Sequence, residues 1–151
     1  MNSRSIILVQ RSFRDIVPIS HEIGTIFYAR LFQKSPELRA LFTTDIDTQA
    51  DKLLQMLAMI VNGLHRLDSF GAAVRESGRR HQDYGVLAKH YELVGETLLW
   101  TLEAALQDKF TPAVRAAWTD AYTATHALME ADVGDEKGVG RNGASRMNHA
   151  R

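Results

Sequence analysis

His81 is the residue of this chain with the clearest chemical potential. It lies at the predicted end of a short helix, next to a break at Gly85 and just before a long amphipathic helix that begins near His90. A haem iron in a helical protein needs one imidazole held rigidly at the edge of an apolar pocket, and this arrangement would provide it. Taken alone, a histidine at a helix end is more often a surface cation near the negative end of the helix dipole. The surrounding elements must decide between these two interpretations.

The composition is that of an ordinary globular chain and excludes several kinds of site. The 151 residues suffice for one domain with a single core, with 45% apolar and 24% charged residues. The formal net charge is zero, so nothing indicates binding to nucleic acid or to a membrane surface. The chain has no cysteine, which excludes disulfides, iron–sulfur clusters, thiolate zinc sites and a thiolate-ligated haem.

The first residues of this sequence lack a targeting pattern, and the last residues offer few apolar side chains to bury. The first residues, MNSRS, contain no signal-peptide core, and the longest nearly apolar run, 56–61, is far too short to cross a bilayer. We therefore expect a cytoplasmic protein. Residues 134–151 are rich in glycine, asparagine, serine and charge. We expect them to form a disordered tail after a domain spanning 1–133, and the alternative is that the tail carries an interaction.

Apolar residues recur at helical spacing along the domain, which predicts an all-α fold. The three prolines, Pro18, Pro36 and Pro112, each lie where a helix would begin, and proline is tolerated in a first turn. No segment shows sustained strand alternation. The predicted helices span about 5–17, 19–34, 36–42, 48–67, 70–80, 90–107 and 112–132, with a loop at 43–47.

Several short motifs follow one another in a specific order along this helical chain. They are FYARLF at 27–32, Pro36 followed by ALF at 40–42, Gln49 with Leu53, His81 with Gly85 and Val86, and HYELVGETLL at 90–99. In this order the chain resembles a bacterial single-domain globin, similar to the globin domain of flavohaemoglobins and to neuroglobin, over about residues 4–132. The resemblance implies a globin fold for residues 1–133, a three-over-three helical sandwich around haem b.

The resemblance also implies roles for the residues around the cofactor. His81 is expected to ligate the iron through one ring nitrogen, while the other nitrogen donates to a backbone carbonyl about one turn earlier. Phe42 is expected to pack its ring against the porphyrin, which shields the iron from water. Leu53 should line the ligand cavity. The expected haem contacts besides His81 are Phe42, Leu53, Val86, Tyr91 and Val94.

Tyr28 and Gln49 are implied to form the distal pair, on the ligand side of the haem. A phenol O–H can donate to the partly negative outer oxygen of bound dioxygen, and the Gln49 amide can add a second bond or hold the tyrosine. Tight oxygen binding would follow. Two alternatives stay open, which are Tyr28 as a buried tyrosine with a structural partner and Gln49 as a solvated residue in the first turn of its helix. Because position 49 is not a histidine, we expect five-coordinate ferrous iron.

On the proximal side of the haem, where His81 is expected, the chain matches flavohaemoglobins in one residue and departs from them in another. Those proteins support the proximal histidine with a tyrosine, which Tyr91 matches, and with a glutamate. The expected glutamate position falls near Asp132, with Glu130 close by, so the identity of the acid stays open. We expect no flavin or nicotinamide domain after the globin part, and therefore electrons from a separate reductase.

The remaining histidines are expected to have lesser roles. His21 and His126 should face solvent or fill gaps between helices, and His65 lies away from the expected haem centre. For His90, contact with a haem propionate and a capping or surface role are equally compatible with its place at the start of a long helix.

Four functions are compatible with such a site. The first is binding of dioxygen and nitric oxide with dioxygenation to nitrate, for which Tyr28, Gln49 and Tyr91 would be the catalytic side chains. The second is oxygen storage or supply without turnover, the third is a gas or redox sensor that acts through a partner, and the fourth is a haem-free helical module. The expected partners are O2, NO, CO and the separate reductase, with no nucleic acid and no membrane. A monomer and a homodimer are both compatible with the sequence.

Overall fold

The computed structural model describes residues 1–42, 44–66 and 88–138, and every regular element within them is helical. The α-helices in this part of the chain are α1 (Ser3–Ile16), α2 (Ser20–Lys34), α3 (Ile46–Asn62), α4 (Ala88–Leu106) and α5 (Pro112–Gly138). Short 3₁₀ helices span Val17–Ile19, Pro36–Leu41 and Gln107–Lys109. The predicted all-α class is confirmed, while the predicted helix at 70–80 lies outside the described residues. None of the described helices combines the length and the apolar character needed to span a bilayer.

Side-chain caps determine where α1 and α3 begin. The Asn2 side chain accepts a hydrogen bond from the Ser5 backbone N–H at 2.8 Å, and the Asp45 side chain accepts one from the Thr48 N–H at 2.8 Å. Each cap satisfies a backbone donor that the first turn of a helix cannot pair. The bonds from Thr48 also lower the pKa of the Asp45 carboxyl. This cap starts α3 at Ile46, earlier than the predicted start at Thr48.

Two helix ends differ from the prediction. α3 ends at Asn62, where Gly63 is the C-cap, and a 3₁₀ turn covers 64–66 in place of further α-helix. α5 continues to Gly138 rather than ending near Asp132, so the first part of the predicted tail at 134–151 is helical. An existing helix extends readily because each added residue gains one backbone hydrogen bond. Residues 139–151 lie outside the described part of the chain.

The crossing of α2 and α3 is unusually close because Gly24 has no side chain. A Cβ placed on Gly24 would lie 2.5 Å from the Cβ of Ala50 and 2.8 Å from its Cα. Contacts this short involve the opposing backbone, so a larger residue at this position would force the helices apart. The close crossing sets the distance between the helix that carries Tyr28 and the helix that carries Leu53.

A buried hydrogen bond joins α1 to α5. The Trp118 indole N–H donates to the Ser12 hydroxyl at 2.8 Å, and this hydroxyl donates in turn to the Leu8 carbonyl at 2.8 Å. The Phe13 ring lies 6.4 Å from the Trp118 ring, centroid to centroid. Because a buried indole N–H needs a partner, this bond places Trp118 in one position at the inner face of α5.

α4 packs on α5 through Gly95 and Tyr122. A Cβ on Gly95 would lie 2.7 Å from the Tyr122 ring, so only glycine allows this ring to lie flat against α4. From this position the Tyr122 hydroxyl donates a hydrogen bond to the Tyr91 backbone carbonyl. The start of α4 is therefore fixed to the middle of α5.

Candidate functional site

An apolar cavity of about 160 Å³ lies between α2, α3, α4 and α5. This is about ten times the volume that one water molecule needs. Of the side chains predicted to form the site, the structure brings five to the wall of this cavity. They are Tyr28, Phe42, Leu53, Tyr91 and Val94. Most of the other lining side chains are aliphatic or aromatic, so the cavity suits an apolar ligand better than water.

Tyr28 lies in a cluster of aromatic rings at one side of the cavity. Its side chain is buried, with 6% of the residue exposed. The rings of Phe27 and Phe42 meet the Tyr28 ring edge-on, with centroids at 5.0 Å and 5.5 Å, and the Phe32 ring lies at 5.8 Å. Such edge-to-face pairs are the favoured arrangement of aromatic side chains. The cluster therefore holds the phenol at the cavity wall.

The Tyr28 hydroxyl keeps its proton at any physiological pH. Burial raises the pKa of Tyr28 to about 12, because the phenolate would lose its hydration in this apolar setting. Among the described residues, none forms a hydrogen bond with this hydroxyl. An O–H donor at the wall of an apolar cavity can bond to a small polar ligand inside it.

The raised pKa of Tyr28 predicts a loss of stability at alkaline pH. Below pH 10.0, the ordinary pKa of tyrosine, the phenol is protonated in both the folded and the unfolded state. Between this pH and about 12 the unfolded state loses the proton while the folded state retains it, so the free energy of unfolding falls as pH rises. The fall should total about 3 kcal/mol, at about 1.4 kcal/mol per pH unit.

Urea unfolding of the wild-type protein and of Tyr28→Phe, measured between about pH 9 and pH 12, would check this prediction. The variant lacks the ionisable group, so the wild-type protein should lose stability relative to it across this range. Stability curves that run parallel at all pH values would contradict the assignment.

Gln49 does not join Tyr28 at the cavity wall. It is half-buried in the first part of α3, and its side-chain amide donates a hydrogen bond to the Thr44 hydroxyl. To reach a ligand beside Tyr28, the amide would first have to leave Thr44. Of the predicted distal pair, Tyr28 thus lines the cavity and Gln49 does not, and the bond to Thr44 is a local alternative that sequence spacing does not predict.

Two histidines reach the cavity although neither was assigned to its wall from the sequence. His90 lines the cavity at the start of α4 and has only 6% of its surface exposed. It therefore does not have the surface role that was one of its two predicted alternatives. His126 is half-buried, lines the cavity from α5 and stacks on the Tyr91 ring. The sequence held one indication that His126 lines the cavity. It lies four residues after Tyr122, and residues at i and i+4 share a helix face.

The other described histidines lie outside the cavity. His21 is exposed between Asp47 and Asp51, with ring nitrogens 3.4 Å from each carboxylate, and the hydrogen bond to Asp51 is the main reason why its pKa is raised. His65 is exposed after the end of α3. In the described part of the chain, histidine, aspartate and glutamate do not gather in groups of three that could hold a metal ion. His81 and Val86 lie outside the described residues, so the structure does not locate the predicted iron ligand.

The residues of the cavity fit a flat, largely apolar cofactor. Phe42 offers apolar surface from the segment before α3, and Val94 and Leu98 offer it from one face of α4, which suits a largely apolar macrocycle. The polar groups at the wall are few, with the Tyr28 hydroxyl on one side and the imidazoles of His90 and His126 on another. Haem requires this chemistry, an apolar pocket with a small number of placed donors.

Comparisons with known proteins agree with this fit. The family model described as Globin matches residues 25–129. The chain is 30% identical to neuroglobin of Tetraodon nigroviridis over 137 residues, which cover 82% of each chain. It is 32% identical to a flavohemoprotein of Vibrio cholerae over 99 residues, 64% of this chain and 25% of the relative. It is 29% identical to a flavohemoprotein of Bacillus subtilis over 131 residues, 82% of this chain and 32% of the relative. The chain therefore spans about a third or less of the length of the flavohemoproteins it matches.

Proposed function

The chain belongs to the globin family, and from this premise we propose that it binds haem b in the cavity between α2 and α5 and takes up O2, NO and CO there. Membership of this family supports haem-based gas binding. Haem supplies an iron that binds small gases and changes its oxidation state. The protein residues would supply the apolar walls, the hydrogen-bond donor and the imidazole that holds the iron.

The main support for the proposal is the position of the Tyr28 hydroxyl. It is a buried O–H donor at the wall of an apolar cavity, and its pKa of about 12 keeps it protonated. A desolvated hydrogen bond to a bound gas is worth about 1–3 kcal/mol. Tyr28 would therefore retain dioxygen, whose outer oxygen becomes partly negative on binding, and discriminate against carbon monoxide, which accepts hydrogen bonds weakly.

The remaining residues of the pocket hold the cofactor. His81 is the proposed iron ligand, and Phe42, Val86 and Val94 would pack against the macrocycle. Leu53 lines the space for the gas and keeps water out of it. The proposed roles of His81 and Val86 rest on their positions in the sequence, whereas Phe42, Leu53 and Val94 also line the cavity.

We further propose that the protein converts nitric oxide to nitrate. One NO, one O2 and one electron give one nitrate ion, and a separate reductase would supply the electron. Tyr28 favours this reaction because it would lengthen the time for which dioxygen is held. The apolar lining of the cavity also suits nitric oxide, a small gas of low polarity. Slow release also makes the protein poorly suited to oxygen delivery. The Gln49 amide would assist only after its hydrogen bond to Thr44 had broken. Tyr91 would act through His81, the proposed iron ligand.

A single-turnover measurement tests the reaction. The full chain, loaded with haem, reduced and equilibrated with dioxygen, is mixed with an equal amount of nitric oxide, and nitrate is quantified. About one nitrate per haem, formed faster than free dioxygen and nitric oxide react in buffer, is the expected result. Multiple turnovers should then require NADH and a flavin-dependent reductase.

Two outcomes would replace this function with another. Slow oxygen release without nitrate would assign the protein to oxygen storage. A wild-type chain that binds no haem even after reconstitution would leave the haem-free helical module as its function.

A further inference from the structure

Tyr91 and His126 form a stacked pair of rings at the wall of the cavity. Their ring centroids are 4.5 Å apart, with an angle of 25° between the planes. Both residues are half-buried, and both line the cavity. The Tyr122 ring lies 6.0 Å from the His126 ring and also lines the cavity. Three rings from two helices therefore meet at one side of the pocket.

This arrangement attaches Tyr91 to α5 at two points. The Tyr122 hydroxyl donates to the Tyr91 backbone carbonyl, and the His126 imidazole covers the Tyr91 side chain. Tyr122 and His126 lie four residues apart on α5 and so share one face of that helix. Gly95 completes the arrangement because it lets the Tyr122 ring approach α4. One bond fixes the main chain of Tyr91, and the stack fixes the orientation of its ring.

We propose that His126 is a positioning residue of the haem pocket and that it acts through Tyr91. The inference rests on the proposed function in one respect, namely that Tyr91 contacts the axial ligand His81. A tyrosine held in one orientation presents its hydroxyl to a neighbouring ligand in one direction. Such outer contacts orient an axial histidine, set its basicity and thereby tune the reduction potential of the iron.

In this proposal an aromatic ring supports Tyr91 beside the iron ligand. The sequence had led us to expect an acid, Glu130 or Asp132, in this supporting role. His126 is the cavity-lining residue of α5 whose ring stacks on that of Tyr91, with 25° between the ring planes. Stacking needs a planar ring and no particular charge. We therefore expect phenylalanine at position 126 to preserve the effect and alanine to abolish it.

The first arm of the test reads the position of Tyr91 without haem. The full chain is labelled with fluorotyrosine, and the four tyrosine signals are assigned with single Tyr→Phe variants. The Tyr91 signal should change its line shape in His126→Ala, because the ring is no longer held in one orientation, and keep its wild-type line shape in His126→Phe. A Tyr91 signal that is the same in wild type and His126→Ala would overturn the proposal.

The second arm measures the reduction potential of the haem-loaded chain. His126→Ala should shift the potential, His126→Phe should restore it, and His126→Ala should have no further effect when Tyr91 is already leucine. Thr119→Val is the matched control, since Thr119 lies on the same helix but is exposed, does not line the cavity and donates its hydroxyl to the Arg115 carbonyl of its own helix. We expect the potential of this control to equal that of the wild type.

Several results would overturn the assignment. The first is an unchanged potential in His126→Ala, and the second is a shift that persists in the Tyr91→Leu background. The third is an equal shift in Thr119→Val, and the fourth is a shift produced by Glu130→Gln or Asp132→Asn in place of His126→Ala. A wild-type chain without a haem absorption band would instead refute the proposed function. The fluorine signals would still decide whether His126 holds Tyr91.

Discussion

Replacing Tyr28 by phenylalanine should speed the release of dioxygen by about 5- to 140-fold. The range follows from the loss of one desolvated hydrogen bond of about 1–3 kcal/mol, with a tenfold change in rate for each 1.4 kcal/mol. Phenylalanine keeps the ring and its contacts with Phe27 and Phe42, so the change removes little except the donor. Stopped-flow displacement of dioxygen by carbon monoxide measures the rate directly.

Gln49→Leu is the informative comparison for this variant. The Gln49 amide is bonded to Thr44 and does not line the cavity, so we expect its loss to change oxygen release much less than the loss of the Tyr28 hydroxyl. Carbon monoxide release should change little in Tyr28→Phe, because that ligand accepts hydrogen bonds weakly. If Gln49→Leu released dioxygen faster than Tyr28→Phe, the amide would be the principal donor and the present assignment would be wrong.

Replacing His81 by glycine should weaken haem retention by more than about 100-fold. Removal of groups that merely support a metal ligand already weakens metal binding by about 10- to 100-fold, and loss of the ligand itself should exceed this. Transfer of haem to an excess of apomyoglobin, followed by absorbance, measures the retention. Added imidazole should restore much of it, since the free base can occupy the space left by the side chain.

Two other histidines serve as controls for the His81 variant. His65→Ala changes an exposed residue and should retain haem like the wild type. His90→Ala changes a buried residue of the cavity wall. If His81→Gly kept its haem and His90→Ala lost it, the axial ligand would be His90 and the sequence-based assignment would fail.

Much of the fold could be predicted from the sequence because helices are local structures. The spacing of apolar residues along 48–67 and 112–132 depends only on the period of the α-helix, and the structure has long helices in both places. The prolines at 36 and 112 likewise coincide with helix starts. Helix ends were less predictable, since the Asp45 cap and the continuation of α5 to Gly138 depend on individual backbone hydrogen bonds.

The family and the inward faces of the helices could be predicted from the sequence. Tyr28, Phe42 and Leu53, which the resemblance to globins assigned to the pocket, all line the cavity. The partner that each polar side chain takes depends on the tertiary structure. Gln49 bonds to Thr44, and His126 stacks on Tyr91 across two helices. The reason is physical: periodicity fixes the direction of a side chain from its own helix, whereas its rotamer and its partners depend on neighbouring residues supplied by other parts of the chain.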